Sequence, residues 1–161
     1  MTFNFAKYQE IRGFVEKLSK KSQIIAISKF HPVESVKEAI LCGIRHFGEN
    51  RVQEADIKFR DLRKIYTDLE LHLTGPLQTN KVKKAIDIFD VFQTLDREKL
   101  AKTFFNFSEK IFSKTFFIQI NTGKEKSKSG IYPEDADSFI AYCKGDLNFN
   151  IVGLMCIPPK D

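Results

Sequence analysis

Two hydrophobic periodicities take turns along the chain. Six short runs are almost continuously apolar and bounded by turn chemistry: 24–29 (IIAISK), 46–50 (HFGEN), 70–75 (ELHLTG), 91–96 (VFQTLD), 115–121 (TFFIQIN) and 150–157 (NIVGLMCI). Runs of this kind predict strands buried on both faces of a parallel sheet. Between them the spacing lengthens to three and four residues, as on one face of a helix. Pro32 opens a segment in which Val33, Val36, Ala39 and Ile40 share a face, and Gly43 closes it. Val52, Ala55, Phe59, Leu62 and Ile65 predict a second helix, and Val82, Ala85, Ile86 and Phe89 a third. Asp96 is the expected N-cap of a helix carrying Leu100 and Phe104, and Pro133 the first turn of one carrying Phe139 and Ile140. A leading helix over 3–19 precedes them all.

A helix followed by regular strand–helix alternation predicts an α/β fold with parallel strands. A doubly wound sheet satisfies that pattern. A (β/α) TIM-barrel-like fold satisfies it too, and also explains why chemically suggestive residues fall at the ends of several strands, since barrel sites are built there. The barrel is therefore the expected architecture, with six of the eight strand–helix units of a closed barrel present in the 161 residues. The expectation is a single domain over 1–161, C-terminally truncated, with strand six as an open edge prone to self-association. The customary phosphate site of such barrels, made after strands seven and eight, would then be missing.

Composition narrows the class. Apolar residues make up 42% of the chain and charged residues 29%, a globular mix that excludes disorder and collagen-like repeats. No apolar run is long enough to cross a membrane, and MTFNFAKYQE lacks the pattern of a secretory signal. Cys42, Cys143 and Cys156 form neither a disulfide framework nor a CxxC pair, so a cytoplasmic location is expected. The net charge is +5, but the 20 lysines are scattered. The densest runs, KVKK at 81–84 and KEKSK at 124–128, read as solvated surface, and no nucleic-acid partner is expected.

Among candidate reactive groups Lys29 stands first. It ends an apolar strand, and an amine emerging from apolar surroundings is the kind that attacks aldehydes and holds pyridoxal phosphate (PLP) as a Schiff base. A lysine snorkelling from a strand end is the plainer alternative. Asn50 follows Gly48 and Glu49 at the end of the second strand, where it points an amide at a ligand or caps the next helix. His72 reads as a satisfied core histidine. His31 and His46 have no partner at metal-ligand spacing, so no metal site is expected. The small and cationic residues at 121–123 and 127–130 form either an anion nest or, more simply, a flexible solvated loop. No nucleophile elbow, Walker loop or dinucleotide fingerprint occurs.

Five segments in order, AISKFHPVESVKEAILCGIRHFGENRVQEA, LHLTGPLQTNKVKK, FQTLDREKLA, IQINTGKEKSKSG and IVGLMCIPP, resemble the pyridoxal phosphate homeostasis protein family, whose fold is the alanine racemase N-terminal barrel. The resemblance implies a PLP-binding protein without catalytic turnover, which buffers cytosolic PLP and delivers it to PLP-dependent apo-enzymes. The expected full-length form is a monomer, and no membrane partner is expected. It assigns the Schiff-base lysine to Lys29, places Asn50 near the cofactor, and matches Lys128 to the lysine of the family's KSG motif with its role open. Family members continue through two further βα units that grip the phosphate, and this sequence contains neither, so weakened PLP affinity is expected. Three other readings compete. An amino-acid racemase or decarboxylase would need a β-rich second domain, for which 161 residues leave no room. The others are a degenerate member that no longer binds PLP and a basic interaction module.

Overall fold

The computed structural model describes residues 3–159. Six strands form one sheet in sequential order, β1 (Ala26–Ile27), β2 (His46–Glu49), β3 (Glu70–Leu73), β4 (Val91–Leu95), β5 (Thr115–Ile120) and β6 (Ile151–Cys156). Every neighbouring pair is parallel. That order is how a barrel wall is laid down, and not how a doubly wound sheet is, because the strand sequence never reverses.

Helices α1 (Phe5–Leu18), α2 (Val33–Leu41), α3 (Val52–Phe59), α4 (Leu62–Ile65), α5 (Val82–Ile88), α6 (Glu98–Phe105), α7 (Ser108–Ile111) and α8 (Ala136–Ala141) supply the outer layer. Strand alternation sorts the side chains between the two faces. Leu71 and Leu73 of β3, Phe92 of β4 and Phe116 and Ile118 of β5 pack with Val36, Ala55, Ala85 and Phe104 of the helices to form the core. A ladder of rings, Phe92 on Phe116 at 5.3 Å and Phe116 on Phe149 at 5.0 Å, runs through it. The opposite, concave face carries His46, Glu70, His72 and Gln93.

Three sequence expectations change. The first strand is two residues rather than six, and it pairs with β2 only through Ala26 and Ile27. The helix expected over 52–65 breaks into α3 and α4. Asp96 does not cap α6. Arg97 holds the N-cap position, and the Asp96 carboxylate instead accepts a hydrogen bond from the Arg97 guanidinium. The Pro133 segment is a 3-10 turn (Pro133–Asp135) leading into α8. At the far edge, Val152 and Leu154 of β6 are exposed, on the side that helices cover in β2 to β5.

Candidate functional site

Lys29 lies in the turn two residues beyond β1, half-buried. Both of its neighbours in sequence are pinned. The Ser28 N–H donates to the Gly48 carbonyl at 2.9 Å, its hydroxyl donates to Glu49 Oε1 at 2.7 Å, and its carbonyl accepts from Lys58 Nζ at 2.6 Å. The Phe30 N–H donates to Glu54 Oε1 at 2.7 Å. Phe30 holds a left-handed backbone, φ +64°, which a bulky residue adopts only where its surroundings enforce it. The turn that presents Lys29 is thus fixed from both sides, while its amine makes no ion pair among the described residues and lies 6.0 Å from the Phe30 ring centre.

Beneath the turn is a charged group that sequence reasoning missed. Lys58, on α3, also donates to Glu49 Oε1 at 2.9 Å and to Glu54 Oε1 at 2.7 Å. Its side chain is 8% exposed and that of Glu49 is 0%. Burial pushes the Glu49 carboxyl above its ordinary range, against the hydrogen bonds from Ser28 and Lys58. Burial pushes Glu54 the same way, but there the bonds from Lys58 and the Phe30 N–H outweigh it and hold the carboxyl low. Glu49 and Lys58 sit nine residues apart, at the end of a strand and the last turn of the helix behind it, a pairing that only the βα fold creates.

Asn50 follows β2 on the same side. Its amide oxygen accepts from the Thr74 hydroxyl at 2.9 Å, and its amide nitrogen makes no hydrogen bond among the described residues. Gly75 makes this approach possible, since a Cβ there would come within 2.4 Å of the Asn50 carbonyl oxygen and 2.7 Å of its Cα. Lys29 and Asn50 line a single cleft of about 520 Å³ at the C-terminal ends of the strands, with Arg51, Lys81, Arg97 and Glu54 also on its wall. Arg51 and Lys81 make no ion pair among the described residues, so the cleft is electropositive. Neither cation was singled out as a candidate site residue; each sits at the N-cap position of a helix, Arg51 before α3 and Lys81 before α5.

Lys128 lies elsewhere. It lines a smaller cavity of about 260 Å³ that shares Asn50 and Gly75, and its amine pairs with Glu125 at 2.6 Å. The loop around it is not free. The buried Asn121 side chain donates to the carbonyls of Glu125 at 2.9 Å and Lys128 at 3.2 Å, and accepts from the Glu125 N–H at 3.1 Å. Most of the loop is exposed, as expected of a solvated segment, with the buried Asn121 as its hydrogen-bonding hub.

With this geometry in place the relatives can be compared. Residues 6–160 match the model of the family described as alanine racemase, N-terminal domain. The pyridoxal phosphate homeostasis protein of Vibrio cholerae serotype O1 is 39% identical over 142 residues, covering 84% of this chain and 59% of that protein. The chain therefore spans about three fifths of the length of that relative. PipY of Synechococcus elongatus PCC7942, solved with PLP bound, superimposes with a TM-score of 0.80 at 33% identity, covering 95% of this chain and 71% of that one. Alanine racemase of Acinetobacter baumannii shares the fold at 16% identity, with a TM-score of 0.67 over 89% of this chain and 42% of that enzyme. No described helix is long and apolar enough to cross a membrane. Sequence and strand order agree, and the chain belongs to the alanine racemase N-terminal domain family.

Proposed function

We propose that the chain binds PLP in the Lys29–Asn50 cleft and serves in cytoplasmic PLP homeostasis, without turning over an amino-acid substrate. One observation carries the reading: a lysine amine with no ion pair, on a turn fixed from both sides, faces the same cleft as Asn50. The residues present fit the group. A volume of about 520 Å³ suits a small cofactor, and Arg51 and Lys81 supply positive charge for a phosphate. When bound, PLP supplies an aldehyde that condenses with an amine. Lys29 is its anchor, Asn50 offers an amide N–H, and the Ser28–Glu49–Lys58–Glu54 group holds the Lys29 turn in place. PLP-dependent apo-enzymes are the proposed recipients, and a monomer is the proposed state of the full-length form. The names of the Vibrio relative and of PLP-bound PipY support this reading.

Borohydride trapping of the PLP-loaded chain, followed by peptide mass mapping, tests it. The expected label is on Lys29. A label on Lys81 or Lys128 with Lys29 bare overturns the assignment, and no absorbance change on titration with PLP overturns the function.

A further inference from the structure

The concave face carries a second polar group, at the other end of the strands from the Lys29 cleft. His46 opens β2 and Glu70 opens β3, and the two stand opposite each other in register. His72 lies two residues beyond Glu70, on the same face of the sheet. Glu70 Oε1 is 3.0 Å from His46 Nδ1 and 2.9 Å from His72 Nε2. One ligand atom from each of the three residues falls within 4.8 Å of the others. The outer nitrogens are also partnered: Gln93 Nε2 lies 3.0 Å from His72 Nδ1, and the Gln23 amide meets His46 Nε2.

We propose that His46, Glu70 and His72 form a binding site for a divalent transition-metal ion of the zinc type, held by His46 Nδ1, His72 Nε2 and a Glu70 carboxylate oxygen. Two imidazoles and one carboxylate are a donor set that suits zinc and its chemical neighbours, with a fourth position left for water. Without metal, both inner nitrogens donate their protons to the same Glu70 oxygen, and both outer nitrogens accept from glutamine amides. Metal binding needs each ring proton on the outer nitrogen. Rotating the Gln93 and Gln23 amides turns carbonyl oxygens toward those nitrogens, so neither proton is left unpaired. The protons move within the rings and none is lost. His46 and Glu70 are both partly exposed, which leaves the group open to an ion from solvent. Bound there, the ion would clamp β2 to β3 at the base of the sheet, independently of the PLP cleft.

The position escaped sequence reading because the histidines are 26 residues apart and match no metal spacing. Parallel register alone brings them together.

The test is titration of the purified chain with Zn²⁺ by calorimetry and with Co²⁺ by visible absorption. One ion per chain is expected, with Co²⁺ ligand-field bands and no intense thiolate charge-transfer band. His46→Ala and Glu70→Gln should each weaken binding at least tenfold, and Gln93→Leu by about 10-fold through loss of the outer hydrogen bond. Both His46 and Glu70 are partly exposed, so these variants should fold; far-UV circular dichroism checks that they do. Lys29→Ala should bind metal as the parent does. No binding, binding undiminished in both His46→Ala and Glu70→Gln, or a charge-transfer band that disappears on Cys156→Ser would each overturn the proposal.

Discussion

The two polar groups of this sheet are built from similar parts and solve the burial of charge in opposite ways. At the C-terminal ends, Glu49 and Glu54 share the ammonium of Lys58, and Ser28 donates to the same Glu49 oxygen, Oε1, while Oε2 is buried without a partner among the described residues. At the N-terminal ends, Glu70 faces two imidazoles with no ammonium or guanidinium in the group. The first carries its own cation and is sealed behind the strand ends, so it is suited to hold a backbone turn still. The second has no built-in cation and is partly open, so it is suited to accept one. Pre-organisation and ligand capacity are separated along the same strands.

The largest effect should come from breaking the first group. Lys58→Met removes the cation and leaves Glu49 buried beside Glu54. Losing one partner of a buried pair costs about 3–5 kcal/mol, which chemical denaturation will read directly. Glu49→Leu combined with Lys58→Met should recover much of that loss, because no lone charge remains buried. It should still loosen the Lys29 turn and weaken PLP binding. If Lys58→Met is neutral, the group is not the sealed ion-paired unit described, and the contrast with the histidine cluster collapses.

Next is Gly75, whose missing side chain lets the strand ends close over Asn50. A Cβ there meets Asn50 backbone and side-chain atoms at 2.4–2.8 Å, and backbone cannot swing aside as a side-chain tip can. Gly75→Ala should cost about 1–3 kcal/mol by overpacking and displace the Asn50 amide. PLP titration should therefore weaken more than in a Thr74→Val variant, which loses only the hydrogen bond to Asn50. Equal effects would show that Asn50 is placed by that bond and not by the close approach.

Strands, helices and their parallel order were legible because each strand is a near-continuous apolar run and each helix shows a face of its own. Lys29 and Asn50 were legible because they follow such runs at the end where barrel sites lie. The Glu49–Lys58 pair was not, since local sequence shows only one charge at a strand end and another on the following helix. Its burial depends on α3 folding back over the end of β2. The His46–Glu70–His72 group was hidden for a related reason, as partners across parallel strands lie a whole βα unit apart. Asp96 misled in the other direction, because a residue of N-cap type at the right place was claimed by the neighbouring arginine.

A smaller effect separates the two groups by pH. Burial, against the pull of Glu70, holds His72 below its ordinary value of 6.5, with His46 adding to the depression and Asp90 opposing it. The unfolded chain then binds a proton at His72 before the folded one does. Its contribution to stability is complete above about pH 6.5 and declines as the pH falls toward the lower folded value. Denaturation midpoints of the parent should therefore fall between pH 7.5 and 5.5 by more than those of His72→Gln. The Glu49 carboxyl runs the other way, since its raised value favours the protonated folded state as pH falls below that value. Comparing the two chains at each pH cancels that shared contribution. An identical slope in parent and variant would mean His72 is not the titrating group.

The smallest effect on stability should be at Lys29, the proposed anchor. The Lys29 amine makes no hydrogen bond or ion pair among the described residues, and its nearest described partner is the Phe30 ring at 6.0 Å. The turn around it is held by Ser28 and Phe30, neither of which uses the Lys29 side chain. Lys29→Ala should thus stay within about 0.5 kcal/mol of the parent, as surface changes away from built interactions do. The same substitution should abolish borohydride-stable attachment of PLP completely. A residue held in place by others, yet holding nothing itself, is free to react. If Lys29→Ala instead destabilises as much as Lys58→Met, the amine is part of the sealed group and is unavailable as an anchor.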